Sequence, residues 1–208
     1  MAKAKVEVAG PKTKVEFPKI LYEKALIPIV GTKPLLVNRL PYIAKGQKLP
    51  EMNDEERFET SLYHMSPHKE DGSPRYGFPA AGIKIACINA GRFIPGLPMT
   101  EIRGMFYVND EEDGLLPIID PNDPDRTHSP VPVIDRQMAK TKNGVAVSVV
   151  RARFDEWMFP VPVDYSRTFT SLEQITGILN VAGALVGLGC RRPERSGLKS
   201  WGTFDVAS

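Results

Sequence analysis

The sequence predicts an α+β fold built around an antiparallel sheet, and three observations carry that prediction. Runs rich in β-branched and aromatic residues recur between turn residues, two apolar stripes at helical spacing interrupt them, and Asn143-Gly144 joins two strand-like segments. A chain of 208 residues with 42% hydrophobic and 25% charged residues can bury one sizeable core without a disulfide or metal staple. The longest apolar-rich stretch, Ile175 to Cys190, is broken by glycines and falls short of the ~20 residues that span a bilayer, so no membrane segment is expected. The basic start Met1 to Lys5 runs into Val6-Glu7-Val8 with no apolar core, and Cys87 and Cys190 each stand alone. No secretory signal and a reducing, cytoplasmic compartment are therefore expected.

In chain order, residues 1–16 alternate Lys and Glu with small residues and read as a flexible arm, leaving 17–208 as a single domain. Ile20 to Val30 is rich in strand formers, with Pro28 arguing for an edge or a bulge, and Leu35-Leu36-Val37 continues it. Residues 38–75 are polar and proline-bearing, an insertion out of the core relieved by a short helix over Asp54 to His64 that Asp54 caps. A helix entered through Pro79 follows, with Ala81, Ile85, Ile88 and Arg92 on one face. Ile102 to Val108 and Leu115 to Ile119 read as strands joined by the acidic turn Asn109 to Gly114. After a proline-rich loop, Asn143-Gly144 makes a projecting hairpin of Val133 to Lys142 and the long run Val145 to Val163, whose exposed face switches midway. Thr170-Ser-Leu-Glu173 is a capping box, and Leu172, Ile175, Ile178, Leu179, Ala182 and Leu185 trace one stripe behind it. That helix ends at Gly187, ahead of a glycine and arginine loop to Gly202 and a last strand near Trp201 to Val206.

Catalytic motifs are missing where they would be diagnostic. Cys190 and Arg195 are one residue too close for a phosphatase loop, and Arg192 replaces the third glycine of a dinucleotide pattern. There is no phosphate-loop lysine motif, no HExxH and no GxSxG. His64 and His68 share helical spacing, but Pro67 interrupts it and no third ligand is near in sequence, so no metal and no cofactor are expected.

Charge is nearly balanced, Lys plus Arg 27 against Asp plus Glu 25, so its distribution has to carry any polyanion argument. Carboxylates concentrate between Asp110 and Asp125, and cations in three other places. The tail offers Gly189, Arg191, Arg192, Arg195, Lys199 and Trp201, a set in which glycines admit a phosphate, guanidinium groups neutralise it and an indole stacks on a base. The hairpin offers Arg136, Lys140 and Lys142 before the turn, with Arg151 and Arg153 two apart on one strand face. Asn38 and Arg39 with Tyr42, and Lys84 with Arg92, form the third group. The bland alternatives are a surface loop with Trp201 in the core and a solvated hairpin paired with the acidic turn.

The segments Thr32-Lys-Pro-Leu-Leu-Val37, Phe78-Pro-Ala-Ala-Gly-Ile-Lys84 and Gly187-Leu-Gly189 to Gly202-Thr-Phe204 stand in an order that resembles the RAMP superfamily of ferredoxin-like, RRM-related RNA-binding proteins. Backbone subunits of that superfamily coat guide RNA in CRISPR effector complexes, and the texture of the chain is also similar to that of small bacteriophage-encoded proteins. The resemblance implies a ferredoxin-like antiparallel sheet with two helices, and a glycine loop lying against the nucleic-acid backbone. It departs at Ala80-Ala81, where relatives carry hydroxyl residues, and offers no catalytic histidine of the RNA-cleaving relatives. The expectation is a non-catalytic protein that binds single-stranded DNA or RNA and self-associates head to tail along the strand. Two alternatives stand beside it: a virion or assembly protein laced together by its prolines, and a metal-independent ribonuclease with His64 or His128 as base.

Overall fold

The computed structural model describes residues 18–39, 50–140, 143–144, 146–196 and 200–207. The strands are β1 (Tyr22–Gly31), β2 (Leu35–Val37), β3 (His64–Met65), β4 (Arg75–Pro79), β5 (Phe106–Val108), β6 (Leu115–Pro117), β7 (Val133–Lys140), β8 (Ala146–Phe154), β9 (Met158–Ser166) and β10 (Phe204–Val206). The helices are α1 (Asp54–Ser61), α2 (Ala80–Ala90), α3 (Met99–Met105), α4 (Leu172–Val181), extended by a π turn over Ala182–Val186, and the single turn α5 (Pro193–Ser196). The fold is α+β with antiparallel sheets, as the periodicities predict. Among the described residues no helix is long and apolar enough to cross a membrane.

A four-stranded sheet in the order β10-β1-β9-β5 forms the centre. One face buries Ile27, Ile29, Phe159, Val161, Val163 and Tyr165 under α2 and α4, which bring Ile83, Ala86, Cys87, Ile175, Ile178 and Leu179 into the same cluster. Trp157 completes it, fully buried, with its indole N–H donating to the Lys33 carbonyl at 2.9 Å. The opposite face carries exposed Tyr22, Leu26 and Tyr107.

Pro28 is not at an edge, since β1 lies between β9 and β10. It stands across from Pro160, and its carbonyl accepts from the Ala207 N–H on the other side, just past the last β10 pair. Its absent donor therefore falls where the ladder runs out, which is what a proline in a sheet requires. Leu35 to Val37 does not continue β1 either. It pairs with β8 in a second sheet, β2-β8-β7, with Val37 opposite Ala152 and Leu36 opposite Arg153.

The expected Asn143-Gly144 hairpin forms, with β7 and β8 paired from Val133↔Arg153 to Lys140↔Ala146 and Gly144 at φ +80°. The long run after it is two strands: Asp155 to Trp157 breaks it, and β8 and β9 enter different sheets, which accounts for the change of face. On β8 the residues nearest the turn, Ala146, Val147 and Ser148, are exposed, whereas Val150, Ala152 and Phe154 are buried.

The acidic turn joins no hairpin. β5 pairs with β9 and β6 with β4, in a third sheet ordered β3-β4-β6. Ile102, expected in a strand, is buried on α3. Of the 38–75 insertion, the second half is folded against the core: Leu62 is buried, and Ser61 Oγ accepts from the Ala152 N–H at 2.9 Å. The residues 40–49 and the arm 1–16 lie outside the described residues.

Candidate nucleic-acid interface

The glycine loop is built by backbone hydrogen bonds before any ligand is considered. Leu188 N donates to Gly202 O at 2.9 Å, Gly202 N to Pro34 O at 2.8 Å, and Cys190 N to Leu36 O at 2.8 Å. The chain thus runs along the edge of β2 opposite to β8, tying the tail to the hairpin sheet through the Pro34 and Leu36 carbonyls. Gly189 has φ +68°, and a Cβ there would collide with the Leu36 carbonyl oxygen; Gly202 has φ +67° and would collide with the Leu188 carbonyl. These glycines exist because two backbones meet at hydrogen-bonding distance in a left-handed conformation.

Between this loop and the start of α2 lies a groove of about 250 Å³, reached by Asn38, Tyr63, Gly82, Ile85, Gly189 and Arg192. It unites segments separated by as much as the length of the domain: the end of β2, the first turns of α2 and the tail. The N-cap of α2 is Pro79, which offers no capping side chain, and the Ala80 N–H is taken by the Gly114 carbonyl at 2.9 Å. The remaining first-turn amides give that end of the groove a partial positive charge, suited to an anion. Arg39 lies beside Tyr63, whose phenol is pushed above its ordinary value by burial, with the Arg39 charge opposing.

Arg192 is held in place: its guanidinium donates to the Gly189 carbonyl at 3.1 Å and to Glu194 at 3.3 Å. Glu194 also pairs with Arg92 at 3.0 Å, tying the end of α2 to the tail. Arg191 adopts φ +58°, Arg195 is exposed and Trp201 is half-buried. The core indole is Trp157, whereas Trp201 sits beside the Gly202 that bonds to Pro34.

The hairpin cations are placed on the other side of β2. Arg136 pairs with Asp54 at 2.7 Å, and Arg153 with Asp155 at 2.7 Å and, more loosely, with buried Asp135 at 4.0 Å. Arg151 stands opposite Asp135 across β7 and β8. The carboxylates of 110–125 are engaged elsewhere: Glu111 pairs with Arg75, Glu112 accepts from Ser66, and Asp123 accepts from His128. Lys84 turns away from the groove. Its ammonium donates to the carbonyls of Ile102 at 2.7 Å and Phe106 at 2.6 Å and lies 3.7 Å from the Phe106 ring centroid. Burial pulls its pKa down to about 8. It caps α3, a role consistent with a cation at a helix C-terminus. Lys142, Lys199 and Tyr42 lie outside the described residues, as does the side chain of Lys140.

Sequence reasoning missed Tyr63, Gly82, Ile85 and Cys190 as groove residues. None carries a charge, and although Gly82 and Cys190 fall in the Phe78–Lys84 and Gly187–Gly202 segments, only the pairing of β3 with β4 and the run of the loop along β2 bring the four together. Compared with models of protein families, the chain matches none, and no curated protein matches it.

Proposed function

We propose that this protein binds single-stranded nucleic acid without performing chemistry on it, using the groove between the start of α2 and the Gly187 to Gly202 loop. One observation carries the reading: a glycine-lined groove whose rim holds Asn38 and Arg192, closed at one end by a helix start with no side-chain cap. Phosphate oxygens suit that set, since guanidinium groups and first-turn amides are both donors with positive charge. Arg191 and Arg195 extend the rim, and Trp201 offers a ring for a base. The hairpin arginines Arg136, Arg151 and Arg153 would engage the strand after it crosses β2, Arg136 and Arg153 by exchanging their carboxylate partners for phosphates.

The central sheet supports the ferredoxin-like, RAMP-type reading. Its core strands β1, β5, β9 and β10 occupy the order fourth, first, third, second, with α2 between the first two in sequence and α4 between the last two. Copies of the chain would associate head to tail along a strand through the exposed Met138, Val147 and Ser148 of the β7–β8 hairpin.

Fluorescence anisotropy with a labelled oligonucleotide tests the reading. Binding should weaken linearly in log–log terms as salt rises, by about 0.7 per phosphate contact for a single strand. Complexes should grow with oligonucleotide length in light scattering. Affinity that ignores salt between low and moderate ionic strength, or particles that assemble equally well without nucleic acid, would overturn it in favour of an assembly protein.

A further inference from the structure

Away from the groove, two loops distant in sequence bring three metal-ligand side chains together. His68 and Asp71 lie in the turn between β3 and β4, where Gly72 N donates to the His68 carbonyl and His68 N to the Ser73 carbonyl, both at 2.9 Å. His128 closes the loop after β6, where Asp120 N donates to its carbonyl at 2.9 Å. The Asp123 carboxylate braces that loop by accepting the N–H groups of Thr127 and His128, both at 2.8 Å. The two imidazoles stack with ring centroids 4.8 Å apart. Asp71 reaches both, at 3.1 Å from His128 Nε2 and 3.4 Å from His68 Nδ1. One donor atom from each of the three side chains lies within 4.8 Å of the other two.

Two further features point to a ligand. His68 Nδ1 is shut off from solvent, and Asp71 Oδ1 at 3.4 Å does not complete a hydrogen bond with it. His128 Nδ1 lies 3.1 Å from Asp123 Oδ2, the carboxylate–histidine pairing that orients an imidazole so that its other nitrogen can coordinate.

We propose that His68, Asp71 and His128 form a binding site for a divalent transition-metal ion of the zinc class, which clamps the β3–β4 turn to the loop after β6. Two imidazole nitrogens and one carboxylate are a borderline donor set, suited to zinc and its neighbours and poorly suited to calcium or magnesium, which take oxygen ligands. Three protein ligands leave a coordination position for water or a partner group. Donors now up to 4.8 Å apart must draw in to surround an ion at about 2.0 to 2.2 Å, a side-chain rotation that two surface loops accommodate. His68 also lines the cavity of about 850 Å³ between these loops and the prolines of β1 and β9, beside Lys69, Arg75 and Arg126. Sequence spacing could not reveal the site, because the neighbouring histidine in sequence, His64, is elsewhere, paired with Glu59 at 3.0 Å.

The test uses the full chain stripped with a chelator and titrated with Co²⁺, then with Zn²⁺ in competition. One equivalent of Co²⁺ should bind, giving visible ligand-field absorption that Zn²⁺ displaces. His68→Ala and His128→Ala should abolish the absorption, Asp123→Asn should weaken binding about 10- to 100-fold, and His64→Ala should change nothing. Saturating Zn²⁺ should raise the Tm of the parent chain and not that of Asp71→Asn, with circular dichroism confirming that each variant is folded. Uptake well below one equivalent, absorption retained in folded His68→Ala and His128→Ala, or equal loss in His64→Ala would overturn the proposal. Nucleic-acid binding is measured separately and does not enter this result.

Discussion

At the scale of single residues, Lys84 shows how position overrides charge type. A lysine near a predicted anion groove reads as a phosphate ligand, yet its ammonium lies under Phe106 and against the last carbonyls of α3. Its pKa falls from 10.5 to about 8 because burial disfavours the charged form. Between those values the unfolded chain binds more protons than the folded one, so the Lys84 contribution to stability rises as pH climbs from about 8 towards 10.5. Cys87, pushed up to about 12 by burial, acts in the opposite sense above its ordinary value of 9.0, so the comparison must be between variants. Urea midpoints measured from pH 7 to 10 should show a gap between the parent chain and Lys84→Met that changes across this window; a constant gap would refute the assignment. Gly189 is the second residue-scale case. Its setting among other glycines is legible as a phosphate-approach signal, but the immediate reason for it is the Leu36 carbonyl. Gly189→Ala should cost more than about 1 kcal/mol in denaturant unfolding, whether or not nucleic acid is present.

Caps and periodicity operate at the scale of elements, and there the sequence is right about kind and often wrong by one position. The capping box before α4 is Ser171 with Gln174, not Thr170 with Glu173; Gln174 N donates to Ser171 Oγ at 3.3 Å and the Gln174 side chain accepts from Ser171 N at 3.0 Å. Asn53, not Asp54, caps α1 in the same reciprocal way with Glu56. Ser171→Ala should therefore cost about 1 kcal/mol, and Thr170→Ala should disturb the α4 cap less; equilibrium unfolding of the pair decides between them. The buried face of α2 differs from the expected one because apolar or small residues occupy most of its sides: Ile83, Ala86, Cys87 and Ala90 are buried, while Ile85 is exposed and borders the groove. On α4 the stripe holds from Ile175 through Ala182, with Leu172 at its start exposed, after which the π turn shifts the phase, burying Val186 and exposing Leu185. A period-counting argument cannot anticipate an extra residue in a turn.

For the whole molecule, charge is arranged in neutralised pairs on both sides of β2, with Glu194 serving Arg92 and Arg192, and Asp54, Asp135 and Asp155 serving the hairpin. Exposed pairs such as Arg136 with Asp54 contribute little to stability, about 0 to 1 kcal/mol each, so a phosphate can replace such a carboxylate at small cost. Replacing Arg191 and Arg195 with alanine should lower affinity for every oligonucleotide sequence alike and reduce the salt slope by about 0.7 for each phosphate left without its arginine. Arg192 belongs to the loop's own framework through Gly189, so its substitution should also lower the Tm. An unchanged salt slope in the double variant would place the strand elsewhere on the surface.

The chain's α+β character, its two main helices, the Asn143-Gly144 hairpin and a glycine-rich tail after the last helix are readable from local chemistry, because periodicity, caps and turn residues act over a few neighbours. Strand partnership is not. Which sheet β2 joins, where Pro28 escapes the ladder and whether β5 pairs with β6 depend on contacts between distant segments, and the pattern of one strand carries no address for its partner. The same holds for the sites. The arginines and glycines announce themselves, but the groove that gathers Asn38, Gly82 and Gly189, and the meeting of His68 with His128, exist only once tertiary packing closes loops that lie far apart along the chain.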